Sequence, residues 1–173
     1  MKLQKSLDAF LFCCYAGMRY SDFTNLSKKN IVDINQETWL IYKSVKTGTE
    51  VRLPLYLLFA GKGIVILNKY RNNLENFFRL RDNSNINKDL IIIAKLAGLS
   101  KKISFHTARH TNATLLIYNG VNITTVQKLL GHKSVKTTQV YTNIMDMTIV
   151  HDLEKIKQAA LGIKKKTDNS FNK

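Results

Sequence analysis

The chain has 173 residues, 45% of them hydrophobic, and its 27 lysines and arginines against 12 acidic residues give a formal net charge of +15. No apolar run reaches the roughly 18 residues that suggest a membrane span, and the first residues lack an export signal, so we expect a cytoplasmic protein. The spread of positive charge favours a polyanion, nucleic acid before an anionic membrane surface, although charge that only keeps the chain in solution would give the same composition.

The first third of the chain predicts two helices followed by a small sheet. Apolar residues at helical spacing indicate a helix over residues 3–16, which Gly17 ends. Ser21 is expected to cap a second, short helix. Three segments rich in β-branched and aromatic residues between Ile31 and Pro54 predict a three-stranded antiparallel sheet with Gly48 in its second turn.

The remainder has a helical pattern, with breaks expected at the glycines of 61–63 and across the polar stretch 81–88. In the helix predicted over residues 123–130, Asn122 is placed to cap the N-terminus and Gly131 to end the helix. A short turn of helix after Ser134 is expected to carry Tyr141. The predicted fold class is therefore α+β, mainly α-helical with one small antiparallel sheet. The later helices are predicted over residues 86–97, 106–119, 123–130 and 145–161.

Domain organisation is expected to be simple. Residues 1–161 form one domain, and the basic tail 162–173 has no periodicity and is expected to be disordered. The only cysteines, Cys13 and Cys14, are adjacent in a helical segment and are predicted to be reduced structural residues.

Two arginines lie in distinctive surroundings, Arg19 in "AGMRYSDFTNL" and Arg109 in "SFHTARHTNAT". A planar guanidinium binds phosphate through two parallel hydrogen bonds, so such arginines suit chemistry at a phosphodiester. His106 precedes Arg109 by one helical turn, on the same face. His106 and His110 also have the spacing of a zinc helix, but no glutamate lies between them and no third ligand is evident, so no metal site is predicted.

Three further residues complete the candidate set. Lys46 lies in a predicted turn, His132 follows the glycine that ends a helix, and Tyr141 comes nine residues later. Each has an ordinary alternative: a solvated turn lysine, a histidine on the free carbonyls of a helix end, and a core tyrosine. No P-loop and no serine-hydrolase elbow is present, so neither a nucleotide cofactor nor that hydrolase chemistry is expected.

In this order the motifs resemble the catalytic domain of the tyrosine recombinases, the phage integrase family, over about residues 7–161. The resemblance rests on "GMRYSD", "VKTGTE", "FHTARHTNAT", "LLGH" and "TTQVYTNI". The lysine is the weakest match, because Lys43 lies near Lys46. The matching residues are Arg19, Lys46, His106, Arg109, His132 and Tyr141, with Asp22 in a position that supports Arg19.

The resemblance implies a mechanism that needs neither metal nor cofactor. Tyr141 would attack the scissile phosphate and form a 3′-phosphotyrosyl bond, and Lys46 would protonate the departing 5′ oxygen. The segment that carries Tyr141 is expected to be able to hold an inactive position in the free protein. The remaining family roles are phosphate binding for Arg19, Arg109 and His132, and proton transfer for His106.

The resemblance also implies double-stranded DNA as partner, with no membrane. The family usually has a separate N-terminal DNA-clamping domain, which on this resemblance we expect to be absent from this chain. Ile149, Leu153 and Ile156 begin an apolar stripe on helix 149–161, which would dock on a neighbour in a tetrameric synapse or pack on its own chain. The expected function is that of the recombinase of a mobile element. A type IB topoisomerase and a non-catalytic DNA-binding relative stay as alternatives.

Overall fold

The computed structural model describes residues 2–141, 153–154 and 156–157. The described chain is mainly helical with one three-stranded sheet, so the predicted fold class is confirmed. Two short 3-10 segments, Lys28–Asn30 and Leu58–Gly61, join the main elements. These are α1 Lys2–Ala16, α2 Tyr20–Thr24, β1 Ile31–Ile34, β2 Glu37–Lys43, β3 Glu50–Pro54, α3 Lys62–Lys69, α4 Leu74–Phe78, α5 Asn83–Leu96, α6 Phe105–Tyr118, α7 Ile123–Leu130 and α8 Lys136–Gln139.

The sheet is an antiparallel meander in the order β1, β2, β3. Alternate residues of β2 and β3 point into the core, where Leu40 pairs with Leu53 and Tyr42 pairs with Val51. In the β2–β3 turn Gly48 has a φ of +68°, a conformation that glycine adopts without strain. The predicted sheet and its second turn are therefore confirmed, and the turn projects from the sheet toward the helices.

Helix α1 lies at the centre of the helical layer and packs against α6, α3 and α5. Its Phe12 is fully buried and meets Phe23 and Phe77 edge-on, with ring centroids 5.9 and 6.2 Å apart. Cys13 and Cys14 are both buried free thiols of this helix. Because α1 packs against other helices on several sides, it holds in place the segment that follows it. This segment leads to Arg19, which immediately precedes α2.

Two predicted helix starts are wrong. Helix α2 begins at Tyr20 with Arg19 in the capping position, so Ser21 lies inside the first turn and does not cap it. Helix α5 begins at Asn83, because the Asp82 side chain accepts a hydrogen bond from the backbone N–H of Asn85 at 3.0 Å. The polar residues that suggested a break across 81–88 are thus largely the first turns of a helix. Residues 81–84 and Lys88 are exposed there, and the buried face of this first part of the helix begins at Ile86.

The break expected at 61–63 is confirmed only at Gly61, which has a left-handed φ of +71° and precedes α3. The predicted helices 106–119 and 123–130 are confirmed within one residue at each end. Most of the predicted helix 145–161 and all of the tail 162–173 lie outside the described residues; residues 153–154 and 156–157 are helical and exposed. Within the described ranges no helix is long and apolar enough to cross a membrane.

Candidate active site

Three of the predicted site residues line one open depression on the surface. Arg19 enters it from the start of α2, Lys46 from the β2–β3 turn and His106 from the first turn of α6. Asn83, the first residue of α5, also lines it. Three elements far apart in sequence therefore present cationic or ring-nitrogen groups to the same space.

The carboxylate of Asp22 organises one wall of this depression. It is completely buried and lies 3.5 Å from the guanidinium of Arg19. It also accepts hydrogen bonds from the Ser44 hydroxyl and from the backbone N–H of Val45, the latter at 2.8 Å. Ser44 in turn accepts from Arg19 at 3.2 Å. Arg19 and the turn that carries Lys46 are thus held by the same buried group.

The β2–β3 turn is tied at its other side to helix α7. The Thr47 hydroxyl donates to the carbonyl of Gly131 at 3.0 Å. Gly131 has a φ of +63°, and a Cβ added there would lie 2.6 Å from a methyl of Val51. Only glycine therefore lets the end of α7 approach the sheet this closely. This contact places the following residue, His132, beside the turn.

Arg109 is buried with only 1% of its surface exposed, and its charge is balanced by backbone carbonyls. Its guanidinium donates to the carbonyl of Gly17, just after α1, at 2.8 Å and to that of Leu130, at the end of α7, at 2.6 Å. Helix C-termini carry partial negative charge, so both acceptors suit a buried cation. Burial and the nearby charge of Arg19 lower the pKa of Arg109 to about 10, which leaves it charged at neutral pH.

His132 is buried, and its Nδ1 lies 2.9 Å from the hydroxyl of Thr138. Its backbone is held twice by Gln127, whose carbonyl accepts from the His132 N–H and whose side chain donates to the His132 carbonyl. Burial, then the charges of Arg109 and Arg19, lower the pKa of His132 to about 4. The ring is therefore neutral at physiological pH.

Tyr141 lies just beyond the end of α8 rather than within it, and its N–H bonds the carbonyl of Thr138. The side chain is only 6% exposed, and its ring packs against that of His110 with centroids 5.4 Å apart. Burial raises the pKa of Tyr141, while the charges of Arg109 and Arg19 act in the opposite direction. The helix expected to carry the tyrosine is present but ends before it.

His106 and His110 are both exposed and form a ring pair whose centroids are 4.4 Å apart. Partial burial lowers the pKa of His106, as do electrostatic interactions with His110 and with the positive charges of Arg109, Arg19 and Lys46. This histidine is therefore biased toward its neutral form, which can accept a proton. Although these two rings have the spacing of a metal-binding pair, no cluster of three potential ligands occurs among the residues that the structure describes.

All the predicted site residues thus gather in one region. The charges of Arg19 and Arg109 both act on His106, His132 and Tyr141. Lys46 shares the depression with Arg19. The arrangement combines two guanidinium groups, two imidazoles, an ammonium group and a phenol, a set of groups whose chemistry suits binding a phosphodiester, attacking it and moving protons.

The phage integrase family model matches residues 3–147. The chain belongs to the phage integrase family. Two curated relatives are similar to it over most of its length. Tyrosine recombinase XerC of Rickettsia prowazekii (strain Madrid E) is 30% identical over 159 residues, which are 87% of this chain and 49% of that protein. Tyrosine recombinase XerA of Saccharolobus solfataricus is 34% identical over 134 residues, 75% of this chain and 42% of that protein.

Solved structures share the fold of this integrase-family chain. The crystal structure of XerA recombinase superposes with a TM-score of 0.64 at 24% identity, covering 88% of this chain and 62% of that one. A lambda integrase (75–356) dimer bound to a COC′ core site also gives 0.64, at 22% identity, covering 80% of this chain and 52% of that one. The chain spans about half the length of the curated relatives it matches.

Several residues that shape this integrase-family site were missed from the sequence. Ser44 and Gln127 are ordinary polar residues of a strand end and a helix, and nothing local marks them. Buried Asn112 donates to the carbonyls of Cys14 and Tyr15 and so fixes the end of α1. Thr138 lies in the motif "TTQVYTNI", but nothing in that motif indicates that its hydroxyl contacts His132.

Proposed function

We propose that this chain cleaves and rejoins DNA strands at specific sites through a 3′-phosphotyrosyl intermediate. The observation that carries the proposal is that the Tyr141 ring packs on His110, one residue after Arg109 on α6, where the charges of Arg109 and Arg19 both act on the phenol. A phenol beside two such cations suits attack on a phosphodiester, because the guanidinium groups can bind the non-bridging oxygens and stabilise the charge that develops there. The curated relatives are tyrosine recombinases, which agrees with this chemistry.

Each proton transfer has a suitable group. The Tyr141 oxygen forms a bond to phosphorus while the bond to the 5′ oxygen breaks. Neutral His106 takes the phenolic proton, and Lys46 gives a proton to the departing oxygen. His132, also neutral, donates a hydrogen bond to a phosphate oxygen. The energy of the broken bond is kept in the tyrosyl ester, so a 5′-hydroxyl can reverse the reaction without ATP and without a metal.

Because the Tyr141 side chain is largely buried, we propose that it moves outward before its hydroxyl meets a DNA phosphate. Arg109 is likewise covered, so binding of DNA has to open the same region. We propose that this rearrangement accompanies assembly of a tetramer on double-stranded DNA through the helix predicted over residues 149–161, in the cytoplasm. We further propose that the reaction serves a mobile genetic element.

A nicked DNA duplex that traps the covalent intermediate tests the proposal. The wild-type protein should form a protein–DNA adduct that survives denaturation and that protease digests. The adduct should also form in excess EDTA. Tyr141→Phe should form none, because it lacks the attacking oxygen. Tyr118→Phe, on the exposed face of α6, is the matched control and should react like the wild type. An adduct with Tyr141→Phe would refute the role of this tyrosine.

A further inference from the structure

Thr138 connects two residues of the proposed site by two different atoms. Its hydroxyl lies 2.9 Å from Nδ1 of His132, and its carbonyl accepts the backbone N–H of Tyr141 at 3.1 Å. The residue is completely buried, and its own N–H bonds the carbonyl of Val135 at 2.7 Å. The residue therefore stands between the histidine and the tyrosine.

The direction of the hydrogen bond between Thr138 and His132 follows from burial. A neutral imidazole carries its hydrogen on only one ring nitrogen. If that hydrogen were on Nδ1, the Thr138 hydroxyl would accept it, and the hydroxyl's own hydrogen would be buried with no acceptor among the described residues. An unsatisfied buried donor costs about 1–3 kcal/mol. If the hydroxyl donates to Nδ1 instead, both groups are satisfied.

We propose that Thr138 is a positioning residue for strand cleavage: by donating to Nδ1 of His132 it keeps the ring hydrogen on Nε2, where that hydrogen can be donated to a phosphate oxygen. Its carbonyl meanwhile holds the amide of Tyr141. The inference rests on the proposed function for its consequence, although not for the tautomer itself. One buried threonine thus orients the Nε2–H of His132 as a donor to phosphate and restrains the backbone that carries Tyr141.

Two other features of the site support this role. Burial and the charges of Arg109 and Arg19 lower the pKa of His132, which keeps the ring in the neutral form that has a tautomer to choose. The backbone of His132 is held by Gln127, independently of Thr138. Removing the threonine hydroxyl should therefore change the hydrogen bonding of the ring without releasing the residue.

The test compares three variants by two measurements. Thr138→Val removes the hydroxyl and keeps the shape, Thr138→Ser keeps the hydroxyl, and Thr137→Val changes the exposed neighbour on the same helix. The first measurement is 15N NMR of the histidine rings in the protein without DNA, with His132 assigned from a His132→Gln spectrum. The second is the rate of adduct formation on the nicked duplex.

We expect the hydrogen of His132 to be on Nε2 in the wild type, in Thr138→Ser and in Thr137→Val. In Thr138→Val the tautomers should mix, and adduct formation should slow by about 10- to 100-fold, as is common when a group that orients an imidazole is removed. Thr138→Ser should retain most of the wild-type rate. This rescue separates loss of the hydroxyl from a general effect of changing the residue.

A wild-type His132 with its hydrogen on Nδ1 would overturn the inference, and this result needs no Thr138 variant to fold, only the His132→Gln protein that assigns the signal. A Thr138→Val protein with an unchanged tautomer, or with a changed tautomer and an unchanged cleavage rate, would also overturn it. Failure of the proposed function shows differently: the wild type would form no adduct at all, while the NMR measurement would still report the tautomer.

Discussion

The buried carboxylate of Asp22 accepts the backbone N–H of Val45 at 2.8 Å while it lies 3.5 Å from the guanidinium of Arg19. The next residue of the turn is Lys46. One acidic side chain therefore fixes both the arginine and the backbone that carries the proposed general acid, although these groups come from different elements. The sequence predicted that Asp22 supports Arg19. It did not predict that Asp22 also accepts a hydrogen bond from the turn that carries Lys46.

Asp22→Ala should destabilise the protein and slow cleavage. It leaves a partly buried backbone donor and a partly buried guanidinium without their partner, and breaking such a pair costs on the order of 3 kcal/mol. Urea unfolding measures this loss in the free energy of unfolding. Asp33→Ala removes an exposed carboxylate of β1 and should change that free energy by less than about 0.5 kcal/mol. Equal losses in both variants would contradict the special role of Asp22.

Lys46→Ala should slow adduct formation by roughly 10²- to 10⁴-fold, the usual contribution of a general acid. Lys43→Ala is the matched control, because this lysine is exposed at the end of β2 and does not line the depression. A substrate with sulfur in place of the departing 5′ oxygen should restore the Lys46→Ala rate, since a thiolate leaves without a proton. A larger loss for Lys43→Ala would move the acid to that residue.

Because the pKa of His132 is lowered in the folded protein, we expect the protein to lose stability in mild acid. Its pKa is about 4 in the folded protein against an ordinary value of 6.5, so between these values the unfolded chain binds the proton more tightly. The contribution of His132 to the free energy of unfolding does not change with pH above about pH 6.5. It then falls toward pH 4 by up to roughly 3 kcal/mol.

Urea unfolding of the wild type and of His132→Gln across this range isolates the effect. The difference in unfolding free energy between the two proteins should be constant from pH 7 to 9. It should shift in favour of His132→Gln as the pH falls from 6.5 to 4. A difference that stays constant over the acid range would show that the pKa of His132 is not lowered.

Tyr42→Phe should leave stability unchanged or raise it by about 1 kcal/mol. The Tyr42 hydroxyl is buried and has no hydrogen-bond partner among the described residues, so removing it removes a desolvation cost. Tyr20→Phe is the contrasting control, because the Tyr20 hydroxyl donates to the carbonyl of Arg81 at 2.5 Å, and it should lose about 1 kcal/mol. Thermal or urea unfolding distinguishes them. A Tyr42→Phe protein as destabilised as Tyr20→Phe would reveal a bond that the buried hydroxyl makes.

The sequence by itself determined the sheet, most helices and the candidate site residues, because these depend on short-range signals. Residue periodicity, the glycine that ends α7 and motifs such as "HTARH" are all local. The helix start at Tyr20 was missed because Arg19 precedes it without any side-chain cap, so no local signal marks it. The start at Asn83 was missed because the polar stretch was interpreted as a break, although Asp82 is a residue type that commonly caps helices.

Only the tertiary structure decided how the charges are held. Arg109 bonds carbonyls at Gly17 and Leu130, which lie 92 and 21 residues away. Likewise Thr47 reaches Gly131, and Asp22 reaches the turn of Lys46. Such partners depend on which helix ends the packed core brings together, and no local pattern encodes that. The residue types followed from the sequence, and their hydrogen-bond partners and pKa values followed from burial against distant segments.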